Sequence, residues 1–285
     1  MNVYPSGGCP NRLFNIMAAL HCVPELGTLV RVTDVFNEDG VAGYLEASGN
    51  ELVYILYNCQ QGDEKGWLYV GTVDGRPGWL PTTHVQPVRS FLEQHSMTRL
   101  SRALSYLLRH GATAARSDAF FTIEYVLQEV MPWKQPSLAD IAVVVSSNNK
   151  RRFEFTWREG AGLFIRASQG HSFQVEDALL FKAVTEETVP FCWHGTYQTC
   201  KDSIGRTGVS AMGRQHVHLT PHPPRDSRSV SGMRSDCNLF LRIDVKKARE
   251  AGVRFWRSSN DVILTRGLSG TIPPECFIEW QWKTP

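Results

Sequence analysis

Two segments of the chain carry cations in positions that could bind phosphate. Arg109-His110 closes a segment whose leucines recur at helical spacing, although cations at the end of a helix also offset its dipole. Arg166 precedes the polar run 167–172, whose hydroxyls, amide and glycine backbone can bind phosphate oxygens. An exposed strand end explains this run equally well. Phosphate binding is therefore one of two interpretations for each segment.

Histidines mark two further segments. A His-Gly-Thr tripeptide at 194–196 follows a short apolar run, and its glycine would let the ribose and amide of a nucleotide approach the backbone, although such tripeptides are common. Arg214, His216 and His218 alternate, so on a strand they project to one face as a row of cations. Two alternating histidines could instead bind zinc, but no third ligand stands at metal spacing. We therefore expect no metal site.

Several signatures of other nucleotide-binding and hydrolytic sites are absent from the sequence. There is no Gly-Lys-Ser/Thr phosphate loop and no Gly-x-Ser-x-Gly nucleophile elbow, and the glycines in 160–162 lack the third glycine of a dinucleotide fingerprint. With these sites excluded, the sequence predicts a metal-free phosphate site built from arginines and histidines.

The composition predicts a packed protein. Hydrophobic residues make up 42% and charged residues 20% of the 285 residues, as is typical of globular domains. No apolar run reaches the roughly 18 residues of a membrane span, so we expect no membrane partner. The seven cysteines are odd in number and form no Cys-x-x-Cys pair, which indicates free thiols in a reducing compartment. We expect a cytoplasmic or nuclear monomer, with an organellar address as the less favoured alternative.

The net charge of +2 hides an uneven distribution. Residues 1–88 hold four basic and nine acidic side chains, which leaves 26 basic and 19 acidic ones in residues 89–285. A basic portion of this size suits a polyanionic partner such as RNA, although comparable charge occurs on proteins that bind none.

The elements that must position these residues change type near residues 86–90. Before that point, apolar and aromatic runs separated by turn residues predict a small all-β barrel, with strands at 29–32, 52–57, 67–73 and 78–80. After it, helices are predicted at 97–110, capped by Ser96 or Thr98, at 122–130, and at 137–145, capped by Ser137. A hairpin at 152–168 follows, and three helices followed by a hairpin is a winged-helix order.

The remainder of the chain predicts a mixed, strand-rich domain. Its expected strands are 179–184, 191–197, 216–220, 239–245, 253–256 and 262–265, with one short helix that Asp244 caps and Gly252 closes.

Taken in order, the motifs resemble those of the tRNA 2′-phosphotransferase family, NAD-dependent enzymes that remove the splice-junction 2′-phosphate from RNA. The resemblance covers roughly residues 96–280 and rests on 100–110, 165–172, 194–196, Gly208 with 212–219, 231–234 and 255–267. It implies a winged helix joined to an ADP-ribosyltransferase-like domain. The expected fold is therefore multidomain α+β, with an N-terminal extension (1–25), a barrel (26–88), a winged-helix RNA-binding lobe (89–175) and an NAD-binding lobe (176–285).

The resemblance also implies roles for individual residues. Those expected to act on the RNA phosphates are Arg109, His110, Arg166 and Arg214, and those expected to hold NAD are His194, Gly195, Thr196, Gly208 and Ser210. The implied substrates are NAD and an RNA with an internal 2′-phosphate, such as tRNA. We expect a 2′-phosphate oxygen to attack C1″ of the nicotinamide ribose, and O2″ then to attack phosphorus, giving ADP-ribose 1″,2″-cyclic phosphate. The alternatives are ADP-ribosylation of nucleic-acid phosphate ends, and a non-catalytic scaffold.

The chain departs from that family in two places. Ala119-Phe120-Phe121 stands where a Gly-Trp-type turn is usual, which weakens the expected winged-helix contacts to RNA. Asp261 stands after Asn260 where glycine is usual, which alters the turn without removing a catalytic group.

Residues 26–88 resemble a Src-homology-3-like barrel through the motifs 62–68 and 78–81. Such barrels bind proline-rich peptides on aromatic grooves with acidic rims, and Trp67, Pro81 and Glu38-Asp39 fit that role. However, Phe36 replaces the usual paired tyrosines and His84 replaces a groove tyrosine. A structural barrel that packs on the enzyme is the equal alternative.

Overall fold

A computed structural model describes residues 24–36, 43–58, 65–111, 115–131, 134–229 and 231–283. The protein is a mixed α+β molecule with several small sheets, divided into two compact units. Unit 1 comprises Met1–Leu107, Phe120–Asn148 and Phe153–Arg166, and unit 2 comprises Leu108–Ala119, Asn149–Arg152 and Ala167–Pro285. Most of the expected N-terminal extension and the pair Glu38-Asp39 lie outside the described residues. None of the described helices is long and apolar enough to cross a membrane.

Five antiparallel strands form the first sheet of unit 1, called here the N-terminal sheet. They are β1 (Leu29–Val32), β2 (Leu52–Asn58), β3 (Trp67–Thr72), β4 (Pro77–Pro81) and β5 (Val85–Pro87), in spatial order β4-β3-β2-β1-β5. Val32, Leu68 and Leu80 are fully buried in its core. The strands lie where the sequence predicts them, but the predicted closed barrel is wrong for the described residues. A 3-10 turn at Thr82–His84 joins β4 to β5, which lie at opposite ends of the sheet. On the outer side of β4, the Trp79 backbone exchanges hydrogen bonds with Gly43 and Leu45.

The ring of Trp67 does not form an open groove in the structure. It is only 5% exposed and packs against Phe36 and Tyr44, with ring centroids 6.0 and 5.2 Å away. The Src-homology-3-like assignment and its peptide ligand stay predictions.

Three helices and a hairpin follow the N-terminal sheet along the chain, in the predicted order, and belong to unit 1 except for residues 108–110 and Ala167. They are α1 (Gln94–His110), β6 (Phe121–Thr122), α2 (Ile123–Glu129), α3 (Leu138–Ser146), β7 (Phe153–Arg158) and β8 (Gly162–Ala167), with sheet order β6-β8-β7. The winged-helix assignment itself stays a prediction. Within α1, Leu100, Leu104 and Leu108 are buried, as their spacing predicts.

The caps of these helices are partly as predicted. Ser137 caps α3 in a capping box with Asp140. The expected cap at Ser96 or Thr98 is wrong, because α1 begins earlier, at Gln94. Thr98 lies inside the helix, where its hydroxyl donates to the carbonyl oxygen of Gln94 at 3.0 Å.

Unit 2 is built mainly of short strands. Its elements are α4 (Asp177–Leu180), β9 (Lys182–Val184), β10 (Phe191–Thr196), α5 (Lys201–Thr207), β11 (Val209–Ser210), β12 (Val217–Leu219), β13 (Leu239–Asp244), α6 (Val245–Glu250), β14 (Phe255–Arg257), β15 (Ile263–Thr265), β16 (Thr271–Ile272) and β17 (Phe277–Trp282). They form sheets in the orders β10-β13-β17, β12-β15-β14-β9 and β11-β16. Cys192, Leu219, Leu241 and Ile263 belong to the core between them.

Two predictions for unit 2, a helix cap and a strand, can be compared with the structure. Asp244 caps α6 by accepting a hydrogen bond from the Lys247 amide at 2.9 Å, as predicted. The strand expected at 179–184 is wrong in its first half, where α4 forms instead. The Asp177 carboxylate at the start of α4 accepts hydrogen bonds from Arg266, which fixes that turn. The ADP-ribosyltransferase-like assignment stays a prediction.

Candidate active site

A cleft of about 620 Å³ lies wholly within unit 2. It is rich in cations and histidines and is lined along one side by β12 and the turn that precedes it. The lining residues are Arg109, His110, Lys150, Arg152, Gln169, His194, Gly195, Ser210, Ala211, Met212, Gly213, Arg214, His216, Val217, His218, Ser231, Gly232, Met233, Arg234 and Asn260.

Arg109 reaches this cleft from the last turn of α1. Its Nε donates to the carbonyl oxygen of Gln169 at 3.1 Å. Gly170 has a φ of +89°, and a Cβ there would lie 3.3 Å from Arg109 Nε, so glycine lets the run after β8 close over the guanidinium. The alternative of an exposed strand end is wrong, because Ser168, Gln169 and His171 are buried.

His110 is oriented by a serine of the same run. Its Nδ1 lies 2.8 Å from Ser172 Oγ, and that hydroxyl lies 3.2 Å from the Arg109 carbonyl oxygen. The hydroxyl donates its proton to the carbonyl, so it accepts from Nδ1–H of the imidazole. In the neutral ring, Nε2 then carries the lone pair that can accept a proton.

Three guanidiniums converge in the cleft. Burial, followed by repulsion from Arg214 and Arg152, lowers the pKa of Arg109 to about 10. Arg109 therefore remains protonated at neutral pH. Charges of one sign held together in a partly dry cleft create a strong site for a polyanion, and a phosphate offers several oxygens to fork-shaped donors.

The adjoining Lys150 is held through its backbone. Asn260 donates from Nδ2 to the Lys150 carbonyl oxygen at 3.0 Å, and the Ser258 hydroxyl donates to Asn260 Oδ1 at 2.8 Å. Asn260 is 1% exposed, so this link is shielded from water and fixes the segment that carries Lys150 and Arg152.

His218 is neutral in this structure, and the expected row of three cations is wrong at that position. Burial, with the nearby charge of Arg214, lowers the pKa of His218 to about 3. Its Nδ1 lies 3.0 Å from the His216 carbonyl oxygen and its Nε2 lies 2.7 Å from Gln169 Oε1. A neutral ring has one N–H, so it donates to one of these two oxygens at a time.

His216 directly precedes β12, outside the strand that the sequence predicted to carry it, and belongs to a charged network. Its Nε2 lies 2.9 Å from Asp177 Oδ1, and Arg266 donates to both oxygens of the same carboxylate at 2.8 Å. Burial raises the pKa of Asp177, but the hydrogen bonds from Arg266 and His216 outweigh it and hold that pKa well below its usual range. The network anchors the start of β12 and thereby the backbone that carries Arg214 and His218.

His194 and Gly195, expected to hold NAD, line the cleft on β10. His194 Nδ1 donates to the His218 carbonyl oxygen at 3.1 Å, and burial lowers its pKa. The amide of Gly195 donates to the Gly232 carbonyl oxygen at 2.8 Å, and a Cβ at Gly195 would lie 2.9 Å from Met233 Cα. Glycine is thus required here by the close crossing of the segment 231–234.

The other expected NAD residues are placed differently. Ser210 lines the cleft, and its hydroxyl accepts from the Met212 amide at 3.1 Å. Thr196 and Gly208 are not among the lining residues. Thr196 is buried at the end of β10, and Gly208, with a φ of +86°, ends α5.

Arg166 belongs to unit 1, so the geometry of the cleft does not include it. Its Nε lies 2.5 Å from Glu154 Oε1, and its guanidinium carbon lies 4.3 Å from the centre of the Phe120 ring. Its role on phosphate stays a prediction.

Sequence reasoning missed Lys150 and Arg152. The signal was present as the run Lys150-Arg151-Arg152 immediately before β7, but a loop has no periodicity that would tell a cation on the lining of a cleft from one on the open surface. Among the residues that the structure describes, no three His, Cys, Asp or Glu side chains are grouped to hold a metal ion.

Comparisons with known proteins identify the family that this chain resembles. A family model described as "RNA 2′-phosphotransferase, Tpt1 / KptA family" matches residues 95–267. The protein named tRNA 2′-phosphotransferase 1 is 39% identical in Danio rerio over 193 residues, covering 65% of this chain and 85% of the relative. The Homo sapiens protein of that name is 40% identical over 194 residues, covering 66% and 76%. A probable RNA 2′-phosphotransferase of Bacillus thuringiensis is 30% identical over 182 residues, covering 60% and 91%. The chain is a transferase that belongs to the RNA 2′-phosphotransferase family.

Proposed function

We propose that this chain removes an internal 2′-phosphate from RNA, such as tRNA during splicing, by transferring it to the ADP-ribose part of NAD. The observation that carries the proposal is the convergence of Arg109, Arg152 and Arg214 in one cleft. Such a site suits a dianionic phosphate flanked by the phosphodiesters of an RNA strand.

The cleft also has the size and lining that a dinucleotide needs. Its volume of about 620 Å³ lies within the range of small-molecule sites. His194, Gly195 and Ser210 line it beside the cations, so ribose hydroxyls and an amide find polar partners near groups that bind a pyrophosphate. NAD is a substrate in this reaction and is consumed.

The reaction has two substitutions. A 2′-phosphate oxygen of the RNA attacks C1″ of the nicotinamide ribose, and the bond to nicotinamide breaks with its electron pair leaving on nicotinamide. The ribose O2″ then attacks the same phosphorus, and the bond from phosphorus to the RNA 2′-oxygen breaks. The products are RNA with a 2′-hydroxyl, nicotinamide and ADP-ribose 1″,2″-cyclic phosphate.

Catalysis of both substitutions depends mainly on positioning the RNA phosphate and neutralising its charge. The phosphate is already an anionic nucleophile, so guanidiniums that hold its oxygens in a fork can orient it for the first substitution and stabilise the charge of the second. The placement of Arg109 and Arg214 on the lining of the cleft supports this role for both, whereas Arg166 is proposed from the resemblance alone.

His110 is assigned to proton transfer. The second substitution needs a group that takes the proton from O2″ and returns one to the departing 2′-oxygen of the RNA. The hydrogen bond to Ser172 fixes the imidazole with Nε2 as its acceptor, and histidine is the side chain that most often serves as a general acid or base.

The proposal is tested with a short RNA that carries one internal 2′-phosphate. The RNA is incubated with the protein in a metal chelator, with and without NAD, and all products are identified by mass. We expect NAD-dependent loss of the phosphate together with the cyclic phosphate product. An ADP-ribosylated RNA that accumulates would mean that only the first substitution occurs, and no reaction in a protein that binds NAD would favour a scaffold.

Arg214→Ala should lower the turnover number about a hundredfold to a thousandfold, the usual cost of removing one donor from a developing anion. Arg228→Ala is the matched control, because Arg228 is an exposed arginine that pairs with Asp226, and it should keep the wild-type rate. Circular dichroism checks that both variants are folded. A near-normal rate for Arg214→Ala would refute the role of the cleft.

A further inference from the structure

The N-terminal sheet lies before the residues that match the family, yet it packs tightly on a hairpin inside the match. Trp157 of β7 is 7% exposed, and its indole Nε1 donates to the Thr72 carbonyl oxygen at 2.8 Å. The neighbouring Gly71 faces the same ring, and a Cβ there would overlap the indole. Glycine on the sheet and tryptophan on the hairpin therefore fit each other.

The turns of the two elements interlock beside this tryptophan. The Gly160 amide donates to the Gly75 carbonyl oxygen at 2.9 Å, and the Leu163 amide donates to the Val73 carbonyl oxygen at 3.1 Å. A Cβ at Gly75 would lie 2.8 Å from the Ala161 amide nitrogen. Close approach of two backbones at glycines of this kind fixes both turns.

A third contact leads from the sheet toward Arg166. The Tyr54 hydroxyl, on β2, donates to the Phe155 carbonyl oxygen at 3.2 Å. Burial, with the nearby charge of Glu154, raises the pKa of Tyr54 to about 12, and Glu154 directly precedes Phe155 in β7. Glu154 is the carboxylate that holds the Nε of Arg166 at 2.5 Å.

We propose that the N-terminal sheet is a positioning device for Arg166. Trp157 and Tyr54 act through the β7–β8 hairpin: they fix the backbone directly after Glu154, at Phe155 and Trp157, and Glu154 sets the direction of the guanidinium. The inference rests on the proposed function for its effect on turnover, because Arg166 is assigned to the RNA phosphates by resemblance. Its structural part, the dependence of the hairpin on the sheet, stands independently.

The structural part is tested by hydrogen exchange on the full-length protein. Trp157→Phe keeps most of the ring and removes the donor to Thr72, and Trp280→Phe makes the same change in unit 2, at a partly buried tryptophan that lies outside the sheet and the hairpin. We expect faster exchange in peptides spanning 153–167 for Trp157→Phe and not for Trp280→Phe. Equal exchange in the hairpin of the two variants would overturn the proposal, whatever the enzyme activity is.

The functional part is tested by turnover of the 2′-phosphorylated RNA. We expect Trp157→Phe and the milder Tyr54→Phe to lower the turnover number, the former about tenfold, since misplacement by about 1 Å can cost a hundredfold. The KM for NAD should stay constant. If Trp157 acts through Arg166, adding Trp157→Phe to Arg166→Lys should cost little more than Arg166→Lys alone.

Two outcomes separate the inference from the proposed function. A wild-type protein that does not release the phosphate refutes the proposed function but leaves the exchange result valid. Wild-type turnover in folded Trp157→Phe and Tyr54→Phe, with Arg166→Lys impaired, refutes the positioning role alone.

Discussion

At the scale of single residues, the cleft combines permanently charged arginines with histidines that the structure keeps neutral. Arg109 keeps its proton at neutral pH even though burial and two other guanidiniums lower its pKa to about 10. Burial, with the nearby charge of Arg214, lowers the pKa of His218 to about 3. The positive charge that meets a phosphate therefore comes from groups whose protonation does not change near pH 7.

The neutral His218 makes the folded state sensitive to acid. In the unfolded chain a histidine has a pKa near 6.5, whereas here it is about 3. As the pH falls below about 6.5 the unfolded state takes up a proton that the folded state does not, so stability is present above that pH and is lost toward pH 3. From pH 7 to pH 5 this one group should remove about 2 kcal/mol.

The measurement is urea unfolding of the wild type and His218→Gln at both pH values. The wild type should lose about 2 kcal/mol more between pH 7 and pH 5 than the variant does. His95→Gln is the control, because His95 is 65% exposed in its side chain, and it should show the wild-type loss. The same pH dependence in His218→Gln as in the wild type would contradict the assignment of a buried neutral ring.

At the scale of elements, two glycines of the β7–β8 turn differ in how closely other atoms pack around them. Gly160 and Gly162 both have positive φ, +67° and +82°. No atom lies within 4 Å of a Cβ at Gly160, whereas a Cβ at Gly162 would overlap the Val73 carbonyl oxygen. Alanine should carry a similar backbone cost of about 1–2 kcal/mol at either site.

Gly162→Ala should therefore lower the free energy of unfolding by about 1–3 kcal/mol more than Gly160→Ala, the added cost of overpacking. Denaturant unfolding of the two variants measures the difference, and Gly160→Ala serves as the matched control. Equal losses would show that the hairpin and the N-terminal sheet are not packed as closely as the structure places them.

Local patterns predicted elements well where the element depends on its own periodicity. Leu100, Leu104 and Leu108 mark the buried face of α1, and Ser137 marks the start of α3. Patterns failed where distant contacts decide: α4 replaces a predicted strand because Arg266, far along the chain, binds Asp177.

The same limit applied to the candidate site. Arg109, His110, His194 and Arg214 could be singled out from their motifs, and the structure brings them to one cleft. Arg152 and Lys150 could not, since their position depends on the hydrogen bond from Asn260 to the backbone of Lys150. The alternation of Arg214, His216 and His218 predicted a row of cations, and it did not indicate that His218 is buried.

At the scale of the whole molecule, the distribution of charge matters more than its sum. The net charge is only +2, but residues 1–88 are acidic and the residues after them hold 26 basic against 19 acidic side chains. The cleft concentrates this excess, with Arg109, Arg152, Arg214 and Lys150 on its lining. An RNA strand crossing such a surface must release counterions from its phosphates, so binding weakens as salt is added.

A variant of Lys150 tests whether the cations on the cleft lining bind RNA phosphates. The logarithm of RNA affinity should fall linearly with the logarithm of salt concentration, and Lys150→Ala should reduce the slope by about 0.7, the value for one phosphate contact on a single strand. Fluorescence anisotropy with a labelled 2′-phosphorylated RNA, from low to moderate salt, measures the slope. Lys246→Ala removes the same charge from the exposed side of α6, away from the cleft lining, and should leave the slope unchanged. An equal reduction in both variants would mean that only net charge counts, and no reduction in Lys150→Ala would mean that the RNA backbone does not reach this part of the cleft.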